Sequence, residues 1–338
     1  MKQKIIEFCQ SLGLDTIGMI PCRRFEELQG FLMERQKKNL QNEFEESDME
    51  KRINPMHYME NGKTILSIAF PYYYEGEDSC WQSDSNGFSI YTRRLDYHRV
   101  VRGYLDKICA FIESQGGNAI PLVDSNTLPE RYIAYLAGVG FIGRNNMIIT
   151  EKYGSYVFLG EIITDLELAS SDKRHFEQIG DYVECGECRI CYGECPSKSI
   201  NAHKITPNIC LSYITQKKEI SEQEMSLLKG NVFGCDFCQL KCPYNLRAEQ
   251  SRVKEFAQLA YMNGEMAEFA AMDNKFFKEK VSMTSCGWRG KNVIKRNALI
   301  HLADKGEDIT KYKGDSAYIN GYIEQLTNKG IKKKQRFQ

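Results

Sequence analysis

The chain lacks the sequence features typical of membrane-spanning, exported and nucleotide-binding proteins. Its 338 residues contain no run of roughly 18 consecutive apolar residues, so the sequence predicts no transmembrane helix. The start, MKQKIIEFCQSLGLD, has no apolar run followed by a small-residue cleavage site, so we expect no signal peptide and a cytoplasmic protein. There is no P-loop, and the glycine cluster AGVGFIG (137–143) follows a predicted helix rather than the strand that a dinucleotide fingerprint requires.

Net charge is also absent, although the charges are unevenly placed. Lys plus Arg and Asp plus Glu both number 45. From Lys275 to Gln338, fifteen basic residues stand against six acidic ones, a net of +9 that the rest of the chain balances. A basic segment on a neutral protein favours a polyanionic partner. The alternative is a solubilising tail, of which KKKQRF near the end is typical.

Cysteine is abundant, and eight of the thirteen cysteines lie between Cys185 and Cys242. They form a C-x2-C-x2-C-x3-C-P run, a C-x2-C-x3-C-P run and one cysteine between the two. This spacing predicts two [4Fe–4S] clusters, because the cysteine before proline ligates the other cluster in two-cluster ferredoxins. The predicted ligands are Cys185, Cys188, Cys191 and Cys242 for cluster one, and Cys195, Cys210, Cys235 and Cys238 for cluster two. Zinc suits this spacing poorly, and disulfides would require an oxidising compartment.

Hydrophobic periodicity predicts three segments. Up to about residue 166, strands at 15–20, 63–71, 119–124 and 153–164 alternate with helices at 2–12, 96–115 and 130–137, which indicates an α/β domain. Residues 167–250 hold the cysteine runs. Residues 251–338 are helical and basic, with an amphipathic helix over 290–305.

Ten stretches of the chain resemble the epoxyqueuosine reductase family, cobalamin-dependent iron–sulfur enzymes that complete queuosine in tRNA. They run in the family's order up to about residue 305. The stretches are EKRINP (50–55), KTILSIAFPY (63–72), LDYHRVV (95–101), VDSNTLPER (123–131), AGVGFIGRNNMI (137–148), YGSYVFLGEIITD (153–165), CGECRICYGECPSKSI (185–200), CLSYIT (210–215), GCDFCQLKCPYN (234–245) and GWRGKNVIKRNALIHLA (287–303).

The resemblance implies an α+β multidomain protein. Its parts would be an α/β cobalamin-binding domain related to reductive dehalogenases (1–166), a ferredoxin-like double-cluster domain (167–250) and a short HEAT-like region (251–338). Two [4Fe–4S] clusters and cobalamin would be the cofactors. The substrate would be epoxyqueuosine in the anticodon loop of tRNA, and the electrons would come from an external flavodoxin or ferredoxin. We expect a monomer with no membrane contact, and a shortened tRNA-holding surface because the chain ends soon after its first HEAT-like helix.

The resemblance also assigns Asp124 as proton donor. Desolvation in a cobalamin-capped pocket would keep this carboxyl protonated and let it act as a general acid. The alternative is a helix N-cap, since a helix follows a few residues later. Arg131 would steady the departing oxygen or a phosphate, or be a solvated helix arginine.

Further contacts follow from the matched stretches. Residues expected to meet cobalamin are Arg52, Tyr97, His98, Asp124, Asn145, Ile148, Leu159, Ser212 and Asp236. We do not expect His98 to ligate cobalt, because the family binds cobalamin without a protein histidine below the metal. Residues expected to contact tRNA phosphates or bases are Trp288, Arg289, Lys291, Lys295 and Arg296, with capping and solvation as their alternative roles.

Two other functions remain open from the sequence. One is a corrinoid reductase of a small molecule, similar to a dehalogenase, which would bind no RNA. The other is a two-cluster electron-transfer protein that binds no corrin and in which Asp124 is dispensable. The five remaining cysteines have no ligand spacing and are predicted to be ordinary thiols, namely Cys9, Cys22, Cys80, Cys109 and Cys286.

Overall fold

A computed structural model describes residues 1–76, 87–202, 205–228 and 230–335, with side chains up to residue 328. Cys80 lies outside these residues. The other four cysteines predicted to be ordinary thiols are free, and Cys9, Cys109 and Cys286 are buried. Within the described ranges no helix is long and apolar enough to cross a membrane.

A four-stranded sheet forms the centre of the first segment. Its strands are β1 (Ile17–Pro21), β2 (Thr64–Pro71), β3 (Ala119–Leu122) and β6 (Val157–Thr164), in the order β1-β2-β6-β3. A separate hairpin pairs β4 (Phe141–Ile142) with β5 (Ile148–Ile149). All pairings in the sheet are antiparallel, whereas alternating strands and helices are more typical of a parallel sheet. Alternation along the sequence does not fix strand direction.

Helices cover both faces of this sheet. The helices of the first segment are α1 (Lys2–Ser11), α2 (Leu28–Lys37), α3 (Met49–Ile53), α4 (Tyr97–Ser114) and α5 (Glu130–Leu136). Every residue of β2 and β6 is buried, because alternate side chains enter two different cores. Ile65 and Ile163 pack with α2, α3 and α5, while Leu66 and Ile162 pack with α1 and α4.

The cysteine-rich segment consists of short helices and turns. Its helices are α6 (Ile190–Glu194), α7 (Leu211–Ile214), α8 (Glu222–Leu227) and α9 (Phe237–Leu240). Each is one or two turns long, so the cysteines lie within or beside very short helices and turns. Such turns let thiolates converge on a cluster while backbone amides surround it.

The last segment is helical, as predicted, and contains one more long helix than the sequence analysis identified. Its helices are α10 (Met266–Ala271), α11 (Asn274–Glu279), α12 (Lys291–Asp304) and α13 (Ala317–Gln335). Helices α12 and α13 pack against each other. Ile300 and Tyr322 share a core with α7 and α8 of the cysteine-rich segment. Val253 and Phe256, which follow the predicted boundary at 250, pack in the core with α1 and α4.

Candidate active site

Asp124 lies just beyond the carboxyl end of β3, in a backbone conformation that few residues adopt. Its φ is +43°, a left-handed value that aspartate tolerates better than bulky side chains do. The Asp124 amide donates to Glu130 Oε1 at 2.6 Å, and Asn126 Nδ2 donates to the same oxygen at 2.6 Å. Glu130 is the first residue of α5. The helix therefore holds the loop and leaves the Asp124 carboxylate exposed to a cavity.

His98 lies between two carboxylates. Its Nε2 is 2.9 Å from Asp124 Oδ2, and its Nδ1 is 2.7 Å from Asp96 Oδ1. Asp96 is the N-cap of α4 and also accepts the His98 amide. Burial alone would lower the pKa of His98, but the hydrogen bonds and charges of Asp124 and Asp96 raise it to about 9. The imidazole is therefore protonated at neutral pH.

The same pair reverses the expected protonation of Asp124. Burial would raise the pKa of Asp124, but the hydrogen bond and charge of His98, together with Tyr97, hold it below its usual value. Asp124 is therefore ionised, whereas the sequence analysis expected desolvation to keep it protonated. The nearby cation lowers the pKa of Asp124 by more than desolvation raises it. The sequence feature that could have indicated this is the motif DYH, which ends at His98.

Tyr97 completes one wall beside Asp124. Its ring stacks on His98 at 4.2 Å and on Phe158 at 4.3 Å between centroids. Burial raises the pKa of Tyr97, and the charge of Asp124 raises it further. The phenol stays protonated, so Tyr97 can donate toward the carboxylate.

A second carboxyl pair lies behind the Asp124 loop. Glu161 is in the middle of β6, opposite Ser67 of β2 and Leu122 of β3, and is 1% exposed. Its carboxyl group neighbours that of Glu130, and burial together with the charge of Glu130 raises the pKa of Glu161 well above its usual value. The sequence analysis assigned no role to either residue, although a glutamate within the apolar run YVFLGEIIT was a visible signal.

The cavity beside Asp124 has a volume of about 1220 Å³. This exceeds the ~300–1,000 Å³ of most small-molecule sites. Residues from all three predicted segments line it. Those of the predicted site are Tyr97, His98, Asp124, Arg131, Asn145, Ile148, Leu159, Ser212 and Trp288, with the thiol-bearing residues Cys195, Cys210, Cys235 and Cys238. Lining residues not singled out in the sequence include Phe44, Glu45, Asp96, Glu130 and Phe158.

The assignment of the eight cysteines to two ligand sets stays a prediction. Burial, followed by the charges of Cys185, Cys188 and Cys242, raises the pKa of Cys191 to about 11. Burial raises the pKa of Cys238, and the charges of Cys210, Asp236, Cys195 and Cys191 raise it further. All four thiols of the second set line the cavity, and none of the first set is among its lining residues. In the parts of the chain that are described, no three Cys, His, Asp or Glu side chains form a site for a single metal ion.

Arg131 and Arg52 are placed differently with respect to the cavity. Arg131 lines it and donates to the Asn146 carbonyl oxygen. Desolvation by the surrounding protein lowers the pKa of Arg131, although its side chain remains exposed to solvent. Arg52 is not among the lining residues, and its Nη1 lies 3.3 Å from Glu45, which is one of them. Arg52 therefore contacts a residue of the cavity wall, Glu45, without lining the cavity itself.

Asp236 and Arg296 do not occupy the positions that the sequence analysis expected. Asp236 is fully buried, and its carboxylate accepts Ser89 Oγ and the Ile90 amide, both at 2.7 Å, so its side chain faces away from the cavity. Arg296 is also fully buried. Its guanidinium donates to carbonyl oxygens of the chain at 2.7–2.8 Å, so it cannot contact a tRNA phosphate.

The other predicted tRNA contacts lie nearer the surface. Trp288 is 57% exposed and lines the cavity. Its ring centroid is 5.3 Å from that of Phe44, and the Arg289 guanidinium lies over both rings at 4.7 and 5.2 Å. Lys291 Nζ donates to Asn274 Oδ1 at 2.7 Å. Lys295 is partly buried, which lowers its pKa.

Family models match two parts of the chain. Residues 184–245 match the "4Fe-4S double cluster binding domain". Residues 52–125 match the model described as "Epoxyqueuosine reductase QueG, DUF1730". A double-cluster domain whose second thiol set lines a cavity with a His–Asp pair defines an iron–sulfur oxidoreductase.

Relatives and solved structures narrow this class. Epoxyqueuosine reductase of Bacillus anthracis is 33% identical over 90% of this chain and 80% of the relative. That of Lactococcus garvieae is 30% identical over 97% of both chains. A crystal structure of epoxyqueuosine reductase with an epoxyqueuosine-modified tRNA-Tyr stem loop is 28% identical, covers 97% of this chain and 90% of its own, and has a TM-score of 0.84. The chain belongs to the epoxyqueuosine reductase family.

Proposed function

We propose that this protein reduces epoxyqueuosine to queuosine in the anticodon loop of tRNA. One observation carries the proposal. The ionisable pair His98–Asp124 and the four thiols of the second cluster set line the same cavity. Removing the epoxide oxygen as water requires electrons and protons at one place. The name and the tRNA stem-loop complex of its relatives supply the substrate class.

The residues around the cavity fit a corrinoid cofactor. The cavity is large, and Ile148, Val157, Phe158 and Leu159 give it an apolar wall. Both ring nitrogens of His98 are engaged by carboxylates, so His98 is not available as a cobalt ligand. Asn145 Nδ2 donates to the Cys238 carbonyl at 3.3 Å and so joins this wall to the cluster segment. When bound, cobalamin would supply strongly reducing cobalt chemistry at the substrate carbon.

The chain's own residues would provide the proton and hold the substrate. His98 carries a proton at neutral pH, and Asp124 is its exposed partner on the cavity side. We assign this pair as the donor to the departing oxygen, in place of a protonated Asp124 alone. Arg131, on the same wall, would steady the negative charge that develops on that oxygen.

The exposed edge of the cavity has the chemistry of a nucleic-acid contact. Phe44 and Trp288 present aromatic faces beside the Arg289 guanidinium, and Lys291 and Lys295 lie on the adjoining turn of α12. Aromatic and guanidinium planes stack on unpaired bases, and lysines contact phosphates. We propose that this edge receives the anticodon loop.

The placement of the two predicted cysteine sets supports one direction of electron flow. The first set is not among the cavity-lining residues, and its cysteines are partly exposed. We propose that an external donor of the ferredoxin or flavodoxin type reduces cluster one, and that cluster two passes electrons into the cavity. The monomeric state stays a prediction.

The test is anaerobic reconstitution with iron, sulfide and cobalamin, followed by a reaction with epoxyqueuosine-containing tRNA. We expect about eight iron per chain, bound cobalt and conversion of the nucleoside to queuosine, measured by mass spectrometry of digested tRNA. Iron without cobalt would favour an electron-transfer protein. Iron with cobalt but no salt-dependent tRNA binding would favour a small-molecule reductase.

A further inference from the structure

The Glu130–Glu161 pair is not explained by the fold alone. Glu161 is fully enclosed in the sheet, and its Oε1 receives one weak hydrogen bond, from Ser67 Oγ at 3.3 Å. Its Oε2 is buried and receives no N–H or O–H from any donor among the described residues. An ionised Glu161 would therefore be a buried charge with one weak hydrogen bond, and the neighbouring charge of Glu130 would add to its cost. Ionised carboxylates only accept hydrogen bonds, so this site favours a proton on the pair.

We propose that Glu130 and Glu161 share a proton and form a second acid of the active site, which delivers this proton to the cavity through Glu130. This inference rests on the proposed function and adds two residues to its chemistry. Glu130 is only partly buried and lines the cavity, so it can serve as the outlet. Glu161 is enclosed, so it acts through Glu130 as a positioning and proton-sharing residue.

The stoichiometry of the reaction requires a second proton, which a second acid would supply. Converting an epoxide to an alkene breaks two C–O bonds, forms one C=C bond and releases the oxygen as water. The balance is one epoxide, two electrons and two protons giving one alkene and one water. The electrons come from the external donor through the clusters. The His98–Asp124 pair holds one of the two protons, and the Glu130–Glu161 pair would hold the other.

The surroundings of the pair favour its protonated state. Burial raises the pKa of Glu161 well above its usual value, and the neighbouring charge of Glu130 adds to this. Burial, followed by the charge of Asp124, raises the pKa of Glu130 to about 7. The ionisable groups that face the pair are Asp124, Tyr97 and Arg131, with His98 behind Asp124. Two neighbouring carboxylates in such a site cannot both ionise cheaply.

The first experiment tests the shared proton without turnover. Infrared difference spectra of the reconstituted protein would be recorded across a pH titration, for the unmodified chain, Glu130→Gln, Glu161→Gln and the surface control Glu113→Gln. At about pH 7 ordinary carboxyls are ionised, so we expect a protonated-carboxyl band in the unmodified chain and the control. Glu161→Gln should lose this band, and Glu130→Gln should shift it, because burial alone still raises the pKa of Glu161. Absence of the band from the unmodified chain, its persistence in Glu161→Gln, or an unshifted band in Glu130→Gln would overturn the proposal.

The second experiment measures delivery of the proton. Single-turnover rates of the reconstituted enzyme would be measured against pH. The rate should fall as pH rises above about 7, because the pair then loses its proton. Glu130→Gln should reduce the rate by about 10²-fold or more at neutral pH and abolish this dependence. Glu161→Gln should move the same limb to lower pH, because an amide donor stabilises ionised Glu130.

The outcomes separate this inference from the proposed function. An unmodified enzyme that shows the infrared band but does not convert epoxyqueuosine contradicts the function and leaves the shared proton standing. An active enzyme in which Glu130→Gln keeps the original rate and pH profile contradicts the second acid. Glu130→Gln changes no residue of the sheet core, so it provides this test even if Glu161→Gln fails to fold.

Discussion

A histidine between two carboxylates is the main charged feature of this cavity. His98 bonds to Asp96 on one side and Asp124 on the other, so the cation and one anion neutralise each other and one negative charge remains. The proton donor that we propose differs from a desolvated carboxylic acid. The proton is held on the imidazole, and the exposed Asp124 carboxylate faces the cavity. Because the charge of Asp124 raises the pKa of His98, loss of Asp124 would change the charge state of the imidazole.

Asp124→Asn tests this coupling directly. Without the anion, the pKa of His98 should fall from about 9 toward the ordinary histidine value of 6.5, measured by NMR titration of the histidine ring. Turnover should fall by about 10²- to 10⁴-fold, the usual contribution of a general acid. Asp106→Asn, on the exposed side of α4, is the control and should change neither quantity. An unaltered His98 titration in Asp124→Asn would contradict the pairing.

The same pair predicts how stability depends on pH. The folded-state pKa of His98 is raised from 6.5 to about 9, so its stabilising contribution is complete below about pH 6.5 and is lost as pH rises through about 9. Urea unfolding of the unmodified chain and His98→Gln should therefore give a stability difference that shrinks from pH 6 toward pH 9. A difference that grows over this range would show that the imidazole is not held protonated.

At the scale of elements, α12 shows how a basic helix can direct part of its charge inward. The sequence around it suggested a row of phosphate contacts. Instead, Arg296 lies in the core and donates to the carbonyl oxygens of Lys217 and Lys218 and to the Tyr318 hydroxyl. It thereby connects the cysteine-rich segment to α12 and α13. Lys291, one turn earlier, remains near the surface.

Arg296→Met and Lys291→Met should show which of the two residues contributes to stability and which contributes to tRNA binding. Arg296→Met leaves buried carbonyl acceptors unpaired and should lower the free energy of unfolding by about 2–4 kcal/mol. Lys291→Met should change it by no more than about 0.5 kcal/mol. In tRNA binding measured against salt, Lys291→Met should reduce the logarithmic salt slope by about 1, whereas folded Arg296→Met should keep the slope. The reverse pattern would place Arg296 on the tRNA.

At the scale of the whole molecule, the cavity exists only where three stretches of the chain meet. The sheet domain supplies Asp124 and the apolar wall, the cysteine-rich segment supplies four thiols, and the turn before α12 supplies Trp288. The predicted division at 166 and 250 stays a prediction. The packing shows that these segments share cores, since Val253 and Phe256 pack with α1 and α4 and Ile300 packs with α7 and α8.

Cysteine variants can establish which cluster neighbours the cavity. Cys195→Ala and Cys188→Ala should each reduce iron from about eight to about four per chain, because each removes a ligand of one set. Only the cluster that survives in Cys188→Ala should change its electron paramagnetic resonance signal when cobalamin is added, because its thiols line the cavity. Cys22→Ala, a thiol outside both sets, is the control. A cobalamin effect confined to Cys195→Ala would reverse the assignment of the two sets.

Much of this molecule was predictable from local sequence. The strand runs at 63–71 and 153–164, the Asp96-capped helix and the helix over 290–305 were identified, because hydrophobic periodicity and caps are local signals. The double-cluster domain followed from the cysteine spacing, whereas its division into two ligand sets stays a prediction. Helix α13 was not identified. The antiparallel direction of the strands was also not foreseen, because strand direction depends on how the connections cross the sheet.

The sequence by itself determined the double-cluster motif and the family, and it singled out Asp124, Arg131 and Trp288, which line the cavity. Only the tertiary structure decided the charge states and directions of side chains. His98 outweighs the desolvation of Asp124, Asp236 and Arg296 face inward, and Glu161 meets Glu130 across the end of β3. A pKa or an orientation depends on neighbours that are distant in the sequence, so no local pattern contains it.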